Sequence, residues 1–374
     1  MDIDSYCPAP FRHLAHRNHP SIGYRPCCGW RGDDMPNQAT AQETFLGPWM
    51  DQLRAQMLRN EPHAGCVTCY KDEQYSGHSL RTGFMEWYGR PTEPVLQDLE
   101  YNLGNLCNMK CRMCGSLYSS KWMTDDRALR RTVTPLIRRK VKDLGIDLSV
   151  VERIKFIGGE PTLEHEEIAE MLTTIRSLRG SLAHMRIEIA TNAMEPFDET
   201  VMDLLLQCGL VDMTISIDGM ESSNTYQRTF GDWTCITSNA KFYDSLYSNN
   251  FHLGVNSTFT IFTLHEATDL IDYVSTELPS AWHLGTVCEW PQELAVCNLP
   301  ESYKQQMTDQ IRQWQPRAAN RYSEILRSRL LWALSQPRNL PLERIREHVK
   351  ELDALRSEDL EKIMPDLHAV LWTV

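Results

Sequence analysis

Cys107-Asn108-Met109-Lys110-Cys111-Arg112-Met113-Cys114 places three thiols within eight residues, spaced C-x3-C-x2-C. The run follows residues 95–103, which read as a strand. Three soft thiolates this close can converge on one iron–sulfur cluster or one zinc ion. Zinc usually takes a fourth protein ligand and often two C-x2-C pairs, and no fourth cysteine lies close by in the sequence. A four-iron cluster held by three thiolates keeps one iron open to a small molecule, which is a reactive arrangement.

Downstream of the loop, strands alternate with helices. Residues 153–157, 186–190, 212–217, 252–259 and, more weakly, 282–288 read as strands, with helices over 164–178 and 199–207 between them. That alternation predicts βαβ units and a parallel sheet, open or curled into a barrel. Barrel and open-sheet α/β proteins place their sites at the carboxyl ends of strands, and polar motifs stand there. Strand 153–157 runs into Gly158-Gly159-Glu160-Pro161. Its glycines permit close backbone approach, Glu160 can accept hydrogen bonds from an ammonium, and Pro161 suits a helix start. Strand 186–190 leads to Thr191-Asn192-Ala193. In Thr214-Ile215-Ser216-Ile217-Asp218-Gly219, period two puts Thr214, Ser216 and Asp218 on one face. A polar face on a central strand is costly unless it lines a wet cavity. Asn256 and Thr258 repeat the pattern on the next strand, where a core hydrogen-bond network is an equal reading.

These motifs, in this order, resemble those of the radical S-adenosylmethionine enzymes. The resemblance implies a partial (β/α)6 barrel with Cys107, Cys111 and Cys114 holding a [4Fe–4S] cluster. The open iron would chelate the amino and carboxylate groups of S-adenosylmethionine. Electron transfer would then release a 5′-deoxyadenosyl radical that abstracts a substrate hydrogen. By the same resemblance Gly158, Gly159, Glu160 and Pro161 bind the cofactor's amino group. Asn192, Ser216, Arg228 and Asn256 would contact the rest of the cofactor, and Asp218 would lie beside the substrate as the candidate catalytic residue. Asn105 and Asn108 fit the family's surroundings of the motif, as do Asn224 and Tyr226 before Arg228. Ala193 departs from the family's usual glycine.

Cysteine is concentrated early, since eight of the twelve precede residue 115. Cys7, the Cys27-Cys28 pair, Cys66 and Cys69 could supply four thiolates to a second metal. Cys7-Pro8, Pro10-Phe11, Pro26-Cys27-Cys28 and Cys66-x-x-Cys69, followed by Glu73, Gly77, Ser79 and Arg81, resemble the twitch module. That module is a shortened relative of the SPASM auxiliary-cluster domain. The family usually places it after the barrel, whereas here it comes first. Cys27 and Cys28 both remain in play, with Pro26 favouring Cys27, and a structural zinc is the alternative to an auxiliary cluster. Phe45, Trp49, Leu53 and Met57, four residues apart, predict a helix with one apolar face.

The domain reading is therefore 1–94 as a twitch-like domain, 95–299 as the partial barrel and 300–374 as a helical segment. Gly89-Arg90-Pro91-Thr92-Glu93-Pro94 is the first linker, and Ile345, Val349, Leu352 and Leu355 form an apolar stripe near the end. Relatives with twitch and SPASM modules favour a peptide or protein side chain as substrate. A small sugar or amino-acid metabolite is the alternative, and a non-catalytic zinc scaffold is the competitor from another class. A reductant such as flavodoxin or ferredoxin is the implied partner.

The 374 residues are 42% hydrophobic and 24% charged, an ordinary globular composition. Thirty-eight basic residues against 50 acidic ones give a net charge of −12, which argues against a general nucleic-acid binder. No apolar run is long enough for a bilayer span, and the acidic start is unlike a secretory signal. A soluble cytoplasmic protein with reduced thiols is the expectation. Arg127, Arg130, Arg131, Arg138, Arg139, Lys140 and Lys142 read as a solvated helix face. His13, His16 and His19 are minor candidates for metal ligands. Cys208, Cys235, Cys288 and Cys297 read as packing residues, the last two as the exceptions near a site.

Overall fold

The computed structural model describes residues 4–17, 23–33, 35–36, 40–318 and 321–372. Its strands are β1 (His13–His16), β2 (Tyr24–Arg25), β3 (Asp98–Asn102), β4 (Lys110–Cys111), β5 (Arg153–Ile157), β6 (Arg186–Thr191), β7 (Leu210–Ser216), β8 (Arg228–Thr229), β9 (Phe251–Phe259) and β10 (Trp282–Val287). The strands expected from residue 95 onward all form, 153–157 with its bounds unchanged and the others with displaced ends. The fold is α/β with a mostly parallel sheet and a helical carboxyl-terminal part. Two compact units divide the chain: 1–105 with 136–189 and 198–211, and 106–135 with 190–197 and 212–374.

In the first unit the strand order is β2-β1-β3-β5-β6, with only the β1–β2 pair antiparallel. Strand β1 has no sequence signal of its own, being four residues with a histidine at each end. It forms because β3 offers an edge, and a buried ion cluster fastens the pair. Asp98 meets His13 at 3.0 Å and Arg153 of β5 at 2.6 Å. The helix expected through Phe45, Trp49, Leu53 and Met57 is two helices, Ala41–Phe45 and Pro48–Leu58. Gly47-Pro48 breaks it, because proline removes an amide donor and suits a helix start rather than a helix middle. Trp49 is consequently only half-buried, and Met50 takes the core position.

In the second unit β10 pairs with β9 in parallel, β7 lies on the other side of β9, and β4 and β8 form a separate antiparallel ribbon. Strand β7 and its extension alternate as expected. Val211, Met213, Ile215 and Ile217 are buried, while Thr214 and Ser216 are half-buried on the opposite face. Helices Glu301–Gln313, Arg321–Ser335 and Leu342–Arg356 follow. The second of them packs on β10, where Arg329 donates to the Gly285 carbonyl at 2.5 Å. Ile345, Val349 and Leu352 are buried as the stripe predicts, but Leu355 is 41% exposed. Among the described residues no helix is long and apolar enough to cross a membrane.

Candidate functional site

The cysteine loop is stitched to the chain on both sides. Within the β4–β8 ribbon, Lys110 lies opposite Thr229 and Cys111 opposite Arg228. The Arg112 amide donates to the Gln227 carbonyl at 2.7 Å and the Cys114 amide to the Cys111 carbonyl at 2.9 Å. Met109 is fully buried as the loop's apolar anchor, and Ser119 Oγ donates to its carbonyl at 2.6 Å. The Met109 amide points at Cys107 Sγ, 3.5 Å away. Burial pushes the Cys114 thiol well above its ordinary value, and Cys111 and Cys107 add to the rise. Cys114 thus lies within electrostatic reach of both of the loop's other thiols. Burial also raises the Cys111 thiol, against the pull of Arg228, whose guanidinium nitrogen lies 3.7 Å from its sulfur.

Arg228 is held by Asp218. The guanidinium Nε meets Asp218 Oδ2 at 2.7 Å, and a terminal nitrogen donates to Oδ1 at 3.0 Å. Desolvation pulls the Arg228 pKa down, but Asp218 and the neighbouring thiols more than reverse this. Asp218 is wholly buried and also accepts from Gln227 Nε2 at 2.8 Å and from the Thr258 amide at 2.7 Å. Its oxygens are therefore committed to the protein, so this geometry makes it a support for Arg228 rather than a group open to substrate. Gln227, which sequence reading missed, ties this pair to β9 by donating to the Thr258 carbonyl at 2.8 Å. Asn224 Oδ1 accepts from the Asp218 amide at 2.9 Å and so closes the turn after β7.

Asn192 reaches the cysteine loop directly, its side-chain amide donating to Asn108 Oδ1 at 2.7 Å. Its own oxygen accepts from the Met194 amide at 2.9 Å, so it caps its turn as well. Between them Ala193 sits at φ 58°, in the left-handed region. This is where the resembled motif carries glycine, and the backbone requirement persists although the residue has changed. Ser216 and Asn256 are each half-buried, on β7 and β9.

The Gly158–Pro161 turn belongs to the first unit. Gly158 has φ 153°, and a Cβ there would lie 3.0 Å from the Gly104 carbonyl oxygen. The Gly159 amide donates to that same carbonyl at 2.9 Å. Glycine is required here by the close approach of two backbones. Glu160 is buried and caps the Pro161–Leu163 turn, accepting from the amide and hydroxyl of Thr162 at 3.1 and 3.0 Å.

Four early cysteines assemble in the first unit. The Cys7 thiol is pushed up to about 12, chiefly by burial and in smaller part by Cys66 and Cys69. Burial likewise raises Cys27, which feels Cys7, Cys28, Cys69 and Cys66. Cys28 is raised by burial and by Glu100, and lies instead among Glu100, Lys155 and Arg17. The residues expected around Cys66 and Cys69 cohere. Arg81 donates to Glu73 at 2.9 Å and to the Tyr6 carbonyl at 2.8 Å, joining helix Val67–Ser76 to the segment that carries Cys7. Gly77 ends that helix at φ 74°.

Among the described residues, no three Cys, His, Asp or Glu side chains gather tightly enough to hold a single metal ion. A zinc ion draws its sulfurs in to bonds of about 2.3 Å. A cubane cluster instead binds each thiolate at a separate iron. The all-cysteine donor set Cys107, Cys111 and Cys114 is the chemistry an iron–sulfur cluster takes.

Other candidates take structural places. His13 pairs with Asp98, and His16 stacks between Tyr24 and Tyr101, while His19 lies outside the described residues. The basic stretch is not one helix face, since its helix ends at Ala128. Arg138 pairs with Glu164 at 2.7 Å and Lys140 with Glu167. Cys235 is exposed rather than packed. Cys288 and Cys297 do share a cavity of about 410 Å³ with Glu289 and Trp332.

Residues 101–267 match the family model of the Radical SAM superfamily. Over 141 residues, 37% of the chain, the sequence is 29% identical to GTP 3′,8-cyclase of Corynebacterium glutamicum, covering 35% of that protein. The match thus spans about a third of the curated relative's length. Among solved structures, anSMEcpe with bound AdoMet is 18% identical, with 58% of this chain and 59% of that one covered and a TM-score of 0.40. Streptococcus suis SuiB bound to precursor peptide SuiA is 15% identical, with 69% and 62% covered and a TM-score of 0.36. The matched region contains the cysteine loop, the GGEP turn and the Arg228–Asp218 pair, and over it the chain carries a radical SAM domain.

Proposed function

We propose that Cys107, Cys111 and Cys114 hold a [4Fe–4S] cluster, and that the chain modifies a peptide or protein side chain by hydrogen abstraction. The observation that carries the cluster reading is the gathering of Cys107 and Cys111 around Cys114 on one loop, with Arg228 at 3.7 Å from the Cys111 sulfur. Bound there, the cluster and S-adenosylmethionine would supply a 5′-deoxyadenosyl radical. The chain's own residues orient and shield. Asn192 steadies the loop through Asn108, Arg228 places a fixed positive charge beside Cys111, and Asp218 and Gln227 keep that arginine in one pose. Gly158, Gly159, Glu160 and Pro161 are the proposed seat of the cofactor's amino group, with Ser216 and Asn256 as further contacts.

Cys7, Cys27, Cys66 and Cys69 are the proposed ligands of an auxiliary cluster, with Cys28 a bystander. Segments 1–94, 95–299 and 300–374 are the corresponding functional divisions, and a flavodoxin or ferredoxin is the proposed reductant. The cysteine-rich amino-terminal segment supports the peptide reading. The likeness to a GTP cyclase supports a second one, a small metabolite.

Metal analysis after anaerobic reconstitution tests the assignment. About eight iron and eight sulfide per chain are expected, falling to about four of each when Cys107, Cys111 and Cys114 are changed to alanine. Zinc without sulfide would overturn the cluster reading. Mass spectrometry of peptides co-expressed with the chain then separates the two substrate readings.

A further inference from the structure

Arg112 lies inside the cysteine motif, yet its side chain is wholly buried and turned away from the sulfurs. It forms ion pairs with both Asp353 and Glu358, donates to the Tyr226 carbonyl at 2.9 Å and lies 3.6 Å over the Tyr226 ring. Asp353 also accepts from the Tyr226 hydroxyl at 2.8 Å and the Leu360 amide at 3.0 Å. Glu358 accepts from the Thr229 hydroxyl at 2.8 Å.

Arg356 enters the other side of the same ribbon. It pairs with Asp125 at 3.0 Å, donates to the Lys110 carbonyl at 2.9 Å and to Thr229 Oγ1 at 3.0 Å, and lies 4.5 Å over the Trp122 ring. Trp122 in turn donates to the Cys111 carbonyl at 2.9 Å. The peptide groups on either side of Cys111 are thus gripped, one directly and one through Trp122, by an arginine more than two hundred residues away in the chain.

Buried ion clusters are a poor source of stability, because apolar replacements of the same volume usually serve as well or better. What they supply is directional hydrogen bonding that fixes one geometry. We propose that the end of helix Leu342–Arg356 and the turn after it, through Asp353, Arg356 and Glu358, form a strap that holds the cysteine loop in its cluster-receiving shape and sets the charge around it. The proposal rests on the cluster reading above. The strap residues are positioning residues, acting through the cysteine loop.

The test uses the full chain with Glu358→Gln, Arg356→Gln and Arg356→Lys. Arg344→Gln, which breaks a solvent-exposed pair on the same helix, serves as control. In cluster-free protein, amide exchange at Lys110, Arg112 and Cys114 should rise roughly tenfold or more in the first three variants and stay unchanged in the control. In reconstituted protein, the readout is the midpoint of the cluster that the three-alanine variant lacks. It should move up for Glu358→Gln, which removes an anion, and down for Arg356→Gln, which removes a cation. Arg356→Lys keeps the charge but loses the fork, so it should loosen the loop without moving the midpoint. A general packing defect would not give opposite shifts. Unchanged exchange, or midpoints that move together or not at all, would overturn the strap. Faster loop exchange in the variants, together with a wild-type chain that takes up no iron at these cysteines, would instead overturn the cluster reading and leave the strap standing.

Discussion

Ala193 shows what a single residue reveals about a backbone. Its φ of 58° costs an alanine about 1–2 kcal/mol relative to the right-handed region, a penalty glycine escapes. Burying its methyl returns about 0.8 kcal/mol. Ala193→Gly should therefore stabilise the protein slightly, by under about 1 kcal/mol, read as a higher urea midpoint at unchanged slope. A loss of stability would mean that the methyl contact matters more than the turn. The departure from the resembled motif was legible in the sequence, but that the turn still runs left-handed was not. Asp218 makes the complementary point. Its place on the polar face of β7 was legible, yet its commitment to Arg228, Gln227 and the Thr258 amide was not, because those partners come from other strands and turns.

Elements were legible where pattern and context agreed. Strand β5 and helix His165–Arg179 carry strong periodicity and local stop signals, and Gly180 closes the helix at φ 75°. The shortest strands were not legible, because tertiary pairing creates them. Strands β4 and β8 are two residues each and exist as a ribbon only because the cysteine loop meets Arg228. The break at Gly47-Pro48 was visible in the residues themselves, but the four-residue spacing outweighed it. Helix Leu342–Arg356 offers a direct test at this scale. It ends at Ser357 with φ 55°, and Ser357 is exposed. Ser357→Gly should relieve that strain without loss of packing and raise stability by about 1 kcal/mol, measured by urea denaturation. No gain would mean that the neighbouring ion cluster, rather than the cap, sets the end of this helix.

For the whole molecule, acid is the expected weakness. Burial depresses the pKa values of His16 and His283 to about 3 and that of His348 to about 4. His283 hydrogen-bonds Ser257 at 2.8 Å, and the Ser257 hydroxyl donates to the Ile217 carbonyl at 2.5 Å, so the imidazole donates from Nε2, while its burial favours the neutral form. Each histidine is neutral when folded and protonates below about pH 6.5 when unfolded. Stability is then full above that pH and falls as pH drops toward the folded-state values. The loss approaches about 1.4 kcal/mol per pH unit for each group, or about 4 kcal/mol for the three together by pH 5.5. Urea midpoints at pH 7.5, 6.5 and 5.5 would show this decline, and a flat profile would contradict the neutral assignments. None of it was legible beforehand, since a histidine in a sequence carries no mark of its burial.

The pairing of β1 with β3 bears on biosynthesis. His13, Leu14 and Ala15 lie beside Asp98, Leu99 and Glu100, and Asp98 pairs with Arg153 while lying 3.0 Å from the His13 ring. Closing so long a loop is entropically slow. While the chain is being made, its first segment has no sheet to join until the residues of β3 and β5 have emerged from the ribosome. The amino-terminal thiols are translated first yet reach their folded surroundings late. If these thiols hold the proposed auxiliary cluster, its delivery follows translation of the central strands, and a nascent chain stalled before residue 153 should expose them to alkylation or oxidation.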